Sequence, residues 1–327
     1  MKRNVIYGLA VTGCAMALTV STRIGAVAAE DTIVIGNTSI IDTVDPVHNG
    51  SNAWSLTADG VSETVFMQDK DGNLVSRFVD SIEQKDDLTW EIKLKSGVKF
   101  SDGTDVDAQA FCDSMNSIMQ NNEMASSSAG MITFTATDDA TVTLTTERET
   151  TVMPSVLCEY NMVVCKDNGD SSYVFTGPYV IDSMDPGVEL DLVPNEYYDD
   201  RAADRSNVVI KGFSDAATMQ QAFESGEIDM AFTVTPETAG ILQGEGYTTK
   251  DFDAGYQYFM VVNSKENETL SDLKLRQAIN VGINREDMVT ALKGGRVANG
   301  FFAQYYSFAG DVQETYDPEQ AKSLLEE

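Results

Sequence analysis

Apolar and polar residues change period several times along this chain, and each change marks an element. Thr32-Ile33-Val34-Ile35-Gly36 is a β-branched run closed by glycine, the pattern of a buried first strand. After the Asp45-Pro46 turn, Trp54 to Phe66 carries Leu56, Val61, Val65 and Phe66 at helical spacing. Asp69-Lys70-Asp71-Gly72-Asn73 reads as a turn. Leu88 to Leu94 alternates as a half-exposed antiparallel strand does, and Val98-Lys99-Phe100 follows as a second strand after Ser96-Gly97. Asp107 stands where an N-cap would start a helix bearing Phe111 and Met115. Asn121 to Gly130 is small and polar and predicts a surface loop.

The second half continues in the same way. Ala140 to Thr145, Val180-Ile181, Val188 to Val193 and Val208 to Phe213 read as strands. Ala216 to Phe223 predicts a helix stopped near Gly226, and Ile228 to Phe232 and Tyr256 to Asn263 are strand-like. Leu273 to Ile283 has helical spacing, and Asn284 opens another helix that ends at Gly294-Gly295. Strands and helices therefore mix in an α/β chain with several antiparallel hairpins and no internal repeat.

Composition adds a compartment and removes several function classes. The 327 residues suffice for two domains, and 42% hydrophobic content supplies a core. With 52 acidic against 22 basic residues the surface repels phosphate backbones, which argues against nucleic-acid binding. That charge serves solubility outside the cytoplasm or, alternatively, attracts a cationic ligand. Lys2 and Arg3, the apolar run Val5 to Val20 and the small residues Ala26-Val27-Ala28-Ala29 together make a signal peptide over residues 1–29. The run is short for a membrane span. Val11-Thr12-Gly13-Cys14 also resembles a lipoprotein box in which Cys14 is acylated, although Ala15 to Leu18 stay apolar where such a box turns polar. Either route places the mature protein outside the cytoplasm, in the periplasm or at the cell surface.

Catalytic and metal chemistry find little support. The one histidine, His48, has no CxxC pair to complete a zinc site with, and no Gly-x-Ser-x-Gly elbow exists for a serine hydrolase. No pattern calls for a cofactor. Cys112, Cys158 and Cys165 remain after signal cleavage, either as free thiols or with Cys158 and Cys165 joined.

The ordered motifs resemble one family along the whole chain from about residue 32. Trp90-Glu91-Ile92-Lys93-Leu94-Lys95-Ser96-Gly97-Val98-Lys99-Phe100-Ser101-Asp102-Gly103-Thr104 is similar to the signature of the peptide/nickel family of extracellular solute-binding proteins. Asp45-Pro46, Thr176-Gly177-Pro178-Tyr179, Asn195-Glu196-Tyr197-Tyr198, Gly226-Glu227-Ile228-Asp229, Asn263, Leu275-Arg276-Gln277-Ala278-Ile279-Asn280 and Tyr316 to Leu325 match it in register. Val44 departs from the leucine usual before Asp45-Pro46. These motifs identify a scaffold more than a cargo: Trp90, Phe100 and Phe111 read as core, and Arg276 as the partner of an acid inside a lobe.

The resemblance implies a two-lobed periplasmic-binding-protein fold with mixed sheets. Lobe I would span residues 30–262 with an inserted subdomain at about 50–172, and residues 263–327 would begin lobe II. Family members continue beyond a segment like Leu324 to Glu327, so lobe II is expected to be incomplete, with Leu275, Ile279 and Ile283 uncovered. Two lobes close over a ligand like a hinged trap and present it to ABC permease subunits. The implied cargo is a short peptide held through main-chain hydrogen bonds. A nickel or metallophore complex on the same scaffold, and a sensory protein without transport, are the alternatives. By analogy the lobe I edge of the cleft comes from Ile41 and Asp42, from Phe232 and Thr233, and from Tyr256, Gln257 and Tyr258.

Overall fold

Strict alternation in Thr89–Leu94 and Thr141–Thr146 puts Trp90, Ile92, Val142 and Leu144 on one face, where all four are buried. Successive strand side chains point to opposite faces, so the period alone selects the core side. A computed structural model of the chain describes residues 32–326 apart from 70, 251–256, 299, 303–309, 311 and 313–314.

From the amino end, β1 (Thr32–Asn37) leads to α1 (Gly50–Ala58), the short ladder of β2 (Met67–Gln68) and β3 (Leu74–Val75), and the hairpin of β4 (Val79–Asp86) and β5 (Thr89–Leu94). Helices α2 (Ala108–Asn121) and α3 (Glu123–Ala129) precede β6 (Ile132–Ala136) and β7 (Thr141–Thr146). The one-turn α4 (Met153–Val156) and a ladder of β8 (Lys166–Asp167) and β9 (Tyr173–Val174) follow. Next come β10 (Tyr179–Asp185), β11 (Glu189–Pro194), β12 (Asn207–Gly212), α5 (Ala216–Glu224), β13 (Met230–Ala231) and α6 (Pro236–Gly244). The described chain closes with α7 (Glu268–Ser271), α8 (Leu273–Gly282), α9 (Arg285–Leu292) and α10 (Pro318–Glu326).

Two compact units emerge. The first holds Pro46–Asp182 and Asp191–Val209, besides residues up to Ile33. The second holds Val34–Asp45, Ser183–Leu190 and Ile210–Glu327. A five-stranded sheet runs in the order β10-β11-β12-β1-β13, and a four-stranded sheet in the order β4-β5-β7-β6.

The first unit is built on the four-stranded sheet, antiparallel throughout, with Trp90 opposite Leu144 and Phe134 opposite Leu144 on its other side. Helix α2 covers it: Phe111 meets Phe134 edge-on at 6.2 Å between ring centroids. Asn116 clamps the Phe134 backbone, its Nδ2 donating to the carbonyl at 2.8 Å and its Oδ1 accepting from the N–H at 2.9 Å. Asp107 does start this helix, accepting from the Ala110 N–H at 2.8 Å. Trp90, Phe100 and Phe111 are all core.

A buried charge sits in the same unit. The Glu63 carboxylate receives Arg77 Nε at 2.6 Å and the Tyr198 hydroxyl at 2.9 Å, while Arg77 Nη2 donates to the Thr176 carbonyl at 2.6 Å. Burial pushes the Glu63 carboxyl up, against the opposing pull of Arg77. The Arg77 guanidinium also lies over the Tyr198 ring at 4.5 Å. At the nearby turn, a Cβ on Gly177 would overlap the backbone of Gly60 and Val61, which explains glycine in the Thr176-Gly177-Pro178-Tyr179 motif.

Several elements differ from the sequence pattern. The first helix spans Gly50–Ala58 and not Trp54–Phe66, because Gly60 turns at φ +76° and Val61, Val65 and Phe66 are buried from a non-helical segment. Asn121–Gly130 is not a loop: Asn122 caps α3 by accepting from the Met124 and Ala125 N–H groups. Val98–Phe100 pairs only through an isolated antiparallel bridge, Lys99 opposite Asp105, with the turn at 101–103, where a full strand was expected. Strand β4 escaped notice because Val-Asp-Ser-Ile-Glu-Gln-Lys-Asp carries few apolar residues. Residues 257–263 form no strand, and Tyr256 lies outside the described residues. Cys112 and Cys165, both buried, and the half-buried Cys158 form no disulfide among the described residues.

In the second unit α8 and α10 pack through small residues, Ala278, Gly282 and Ala321. Asp317 N–H donates to the Val281 carbonyl at 2.8 Å and fixes the start of α10. Arg276 takes carbonyls in place of the expected acid: its Nη1 donates to Leu270 and Ser271 at 2.9 and 2.7 Å. Leu275, Ile279 and Ile283 are half-buried.

Candidate ligand-binding site

The parallel pairing of β1 with β13 creates the edge on which this site is built. Ile35 lies opposite Met230 and Gly36 opposite Ala231. Two main-chain bonds extend the ladder at either end, from Asp229 N–H to the Val34 carbonyl at 2.8 Å and from Phe232 N–H to the Gly36 carbonyl at 2.9 Å. The Asp229 carboxylate also accepts from Val34 N–H at 2.8 Å, so one residue locks the strand start from both sides. Gly36 permits this close approach: a Cβ there would stand 2.5 Å from Ile228 Cδ1 and 3.0 Å from both Met219 and Phe213. Met219, Ala222 and Ile228 form the small core beneath, with Val34 and Phe213 packed against it.

Both strands end at the same edge, and the carboxyl ends of parallel strands are where ligands settle in open α/β sheets. Asn37 ties that edge together. Its carbonyl accepts from Phe213 N–H at 2.9 Å, and its Oδ1 accepts from Ser39 N–H at 3.2 Å and from the Thr233 hydroxyl at 3.3 Å. Thr233 itself adopts φ 57°, a left-handed conformation that a β-branched residue rarely takes. Its hydroxyl also donates to the Phe232 carbonyl at 2.7 Å. Such strain costs on the order of 1–3 kcal/mol and clusters at ligand clamps and switch regions. Beside it, Phe232 leaves 41% of its surface exposed.

The remaining sequence-derived residues differ in exposure. Ile41 is only 3% exposed, and its carbonyl accepts from Gly187 N–H at 3.0 Å. Its neighbour Asp42 is exposed. Gln257 is half-buried, yet its side-chain amide N and O are enclosed without a hydrogen-bond partner. Tyr258 is 91% exposed. The structure thus brings Phe232 and Thr233 together with Asn37, a residue the sequence reading passed over. The signal was present in its place directly after Gly36, at the end of the first strand.

Comparison with known proteins decides what scaffold carries this edge. Residues 73–327 match the model of the bacterial extracellular solute-binding proteins, family 5 Middle. The chain belongs to that family. It is 24% identical over 319 residues to the probable D,D-dipeptide-binding periplasmic protein of Escherichia coli K12, covering 90% of this chain and 61% of that protein. It is 25% identical over 347 residues to the glutathione-binding protein of Escherichia coli O157:H7, covering 98% and 65%. The crystal structure of NikA from Brucella suis in complex with Fe(III)-EDTA aligns with a TM-score of 0.78 at 20% identity, over 91% of this chain and 64% of NikA. The mixed α/β fold is therefore that of the two-lobed periplasmic binding proteins, and this family-5 chain spans 61–65% of the length of these relatives.

Proposed function

We propose that this protein is the extracytoplasmic substrate-binding component of an ABC importer, taking up short peptides and delivering them to permease subunits in the membrane. The observation that carries the reading is the β1–β13 edge, where the exposed Phe232 and the left-handed Thr233 meet Asn37 on a family-5 scaffold. Among the relatives, one is named for a D,D-dipeptide and another for glutathione, both peptides. In this reading the ring of Phe232 offers an apolar face while Asn37, Thr38 and Ser39 offer polar groups to a peptide main chain. Lobe I comprises residues 30–262, with its inserted subdomain at about 50–172, and lobe II begins at 263. Asp42, Gln257 and Tyr258 complete the cleft edge in this reading. The N-terminal 29 residues direct export, with Cys14 as the alternative acylation point, and no helix among the described residues is long and apolar enough to cross a membrane.

A metal complex is the second reading, favoured by the fold likeness to NikA holding Fe(III)-EDTA. Among the described residues no group of three or more His, Cys, Asp and Glu could hold an ion. The metal would therefore arrive already chelated and be held through its organic ligand. A thermal-shift screen with pooled di- to pentapeptides against a nickel–histidine complex separates the two. A binder present at ~100 times its dissociation constant adds about 2.7 kcal/mol of stability. Stabilisation by a peptide pool and not by nickel–histidine is the expected result; the reverse pattern defeats the peptide reading.

A further inference from the structure

Two of the described non-glycine residues with left-handed backbone, Thr233 and Lys293, flank a single contact in the second unit. Helix α6 begins at Pro236, three residues after Thr233. Helix α9 ends on Lys293, whose φ of 56° turns the chain sharply so that Gly294 follows. Gly294 lies against the Pro236 ring: a Cβ there would stand 2.8 Å from Pro236 Cβ and closer still to its Cγ. Lys293 Nζ pairs with the Glu237 carboxylate one residue on. The ion pair is exposed and weak by itself. The ring contact gives it a shape that admits only glycine.

Residues 232–237 and 293–294 fall on opposite sides of the 262/263 lobe division that the family resemblance implies. We propose that the Lys293-Gly294 turn is a latch that seats on Pro236 and Glu237 and holds the α8–α9 pair against the β13 edge of the ligand site. Its role in retaining ligand rests on the reading of that edge given above, whereas the contact itself does not. Separation of the two sides would expose the Pro236 ring three residues after Thr233, so the latch and the ligand edge share one loop.

Zero-length carbodiimide cross-linking of the full chain, read by mass spectrometry, tests the contact with no ligand present. A Lys293–Glu237 amide is expected, alongside the Lys211–Glu227 pair (3.1 Å) as an internal control. Gly294→Val should lose the first cross-link and keep the second, whereas Gly244→Val, at a position open to solvent, should keep both. The charge exchange E237K/K293E keeps a Lys–Glu pair and adds no bulk at Gly294, and its cross-link should persist. Capture of the control without Lys293–Glu237 in the native chain, or an unaltered yield in Gly294→Val, overturns the latch. Failure of every peptide pool to stabilise the protein would instead defeat the ligand reading, with the cross-link still deciding the latch.

Discussion

At the scale of single residues, strain and burial make opposite kinds of statement about this protein. Thr233 is held at φ 57° by bonds to Asn37 and Phe232, and glycine would occupy that conformation freely. Thr233→Gly should therefore raise stability by about 1 kcal/mol while weakening peptide affinity, since the relieved strain belongs to the site. Chemical denaturation and titration with a stabilising peptide check the two halves; unchanged affinity would make the strain incidental. Asp59 presents burial without compensation. It closes α1 at the helix carboxyl end, and burial pushes its carboxyl from 3.8 up to about 6. A folded pKa above the unfolded one means that its stabilising contribution is present below about pH 3.8 and is lost as pH rises through about 6. Asp59→Asn should add about 1–3 kcal/mol at pH 7 and almost nothing at pH 3.5, as measured by melting across that range. Equal gains at both pH values would refute the assignment. Arg77 makes the contrary case, because its removal strands the Glu63 carboxylate. Arg77→Met should cost about 3–5 kcal/mol in urea unfolding, and a loss near zero would show that Glu63 finds another partner.

At the scale of elements, the period of the sequence carried as far as local chemistry determines structure. Asp107 starts α2 as its position implies, and Asp107→Ala should cost about 1 kcal/mol with an unchanged m-value. The alternating strands β5 and β7 are legible because one face of each is buried. Strand β4 was not legible: of its eight residues only Val79 is buried, so pairing with β5 and not hydrophobicity makes it a strand. Helix α3 was hidden in a polar stretch whose one strong signal, the cap at Asn122, looks the same in a loop. For α1 the apolar spacing ran on past Gly60, where the chain turns although Val61, Val65 and Phe66 stay in the core. The candidate site divides along the same line. Phe232 and Thr233 could be named from a local motif. Asn37 gains its place only through parallel pairing with a strand almost 200 residues later, which no window of sequence contains.

At the scale of the whole molecule, a family-5 scaffold carries the β1–β13 edge proposed as the ligand site. The acidic surface, 52 carboxylates against 22 cations, leaves that edge to discriminate by shape and hydrogen bonding more than by attraction of anions. The claim at its centre is that short peptides bind at the carboxyl ends of β1 and β13. Hydrogen exchange with and without a peptide pool measures this directly on the full chain. The account predicts slowed exchange in residues 37–42 and 232–235, with the four-stranded sheet of the first unit unchanged. Peptide-dependent protection confined to other segments, with these two left as they were, would contradict it.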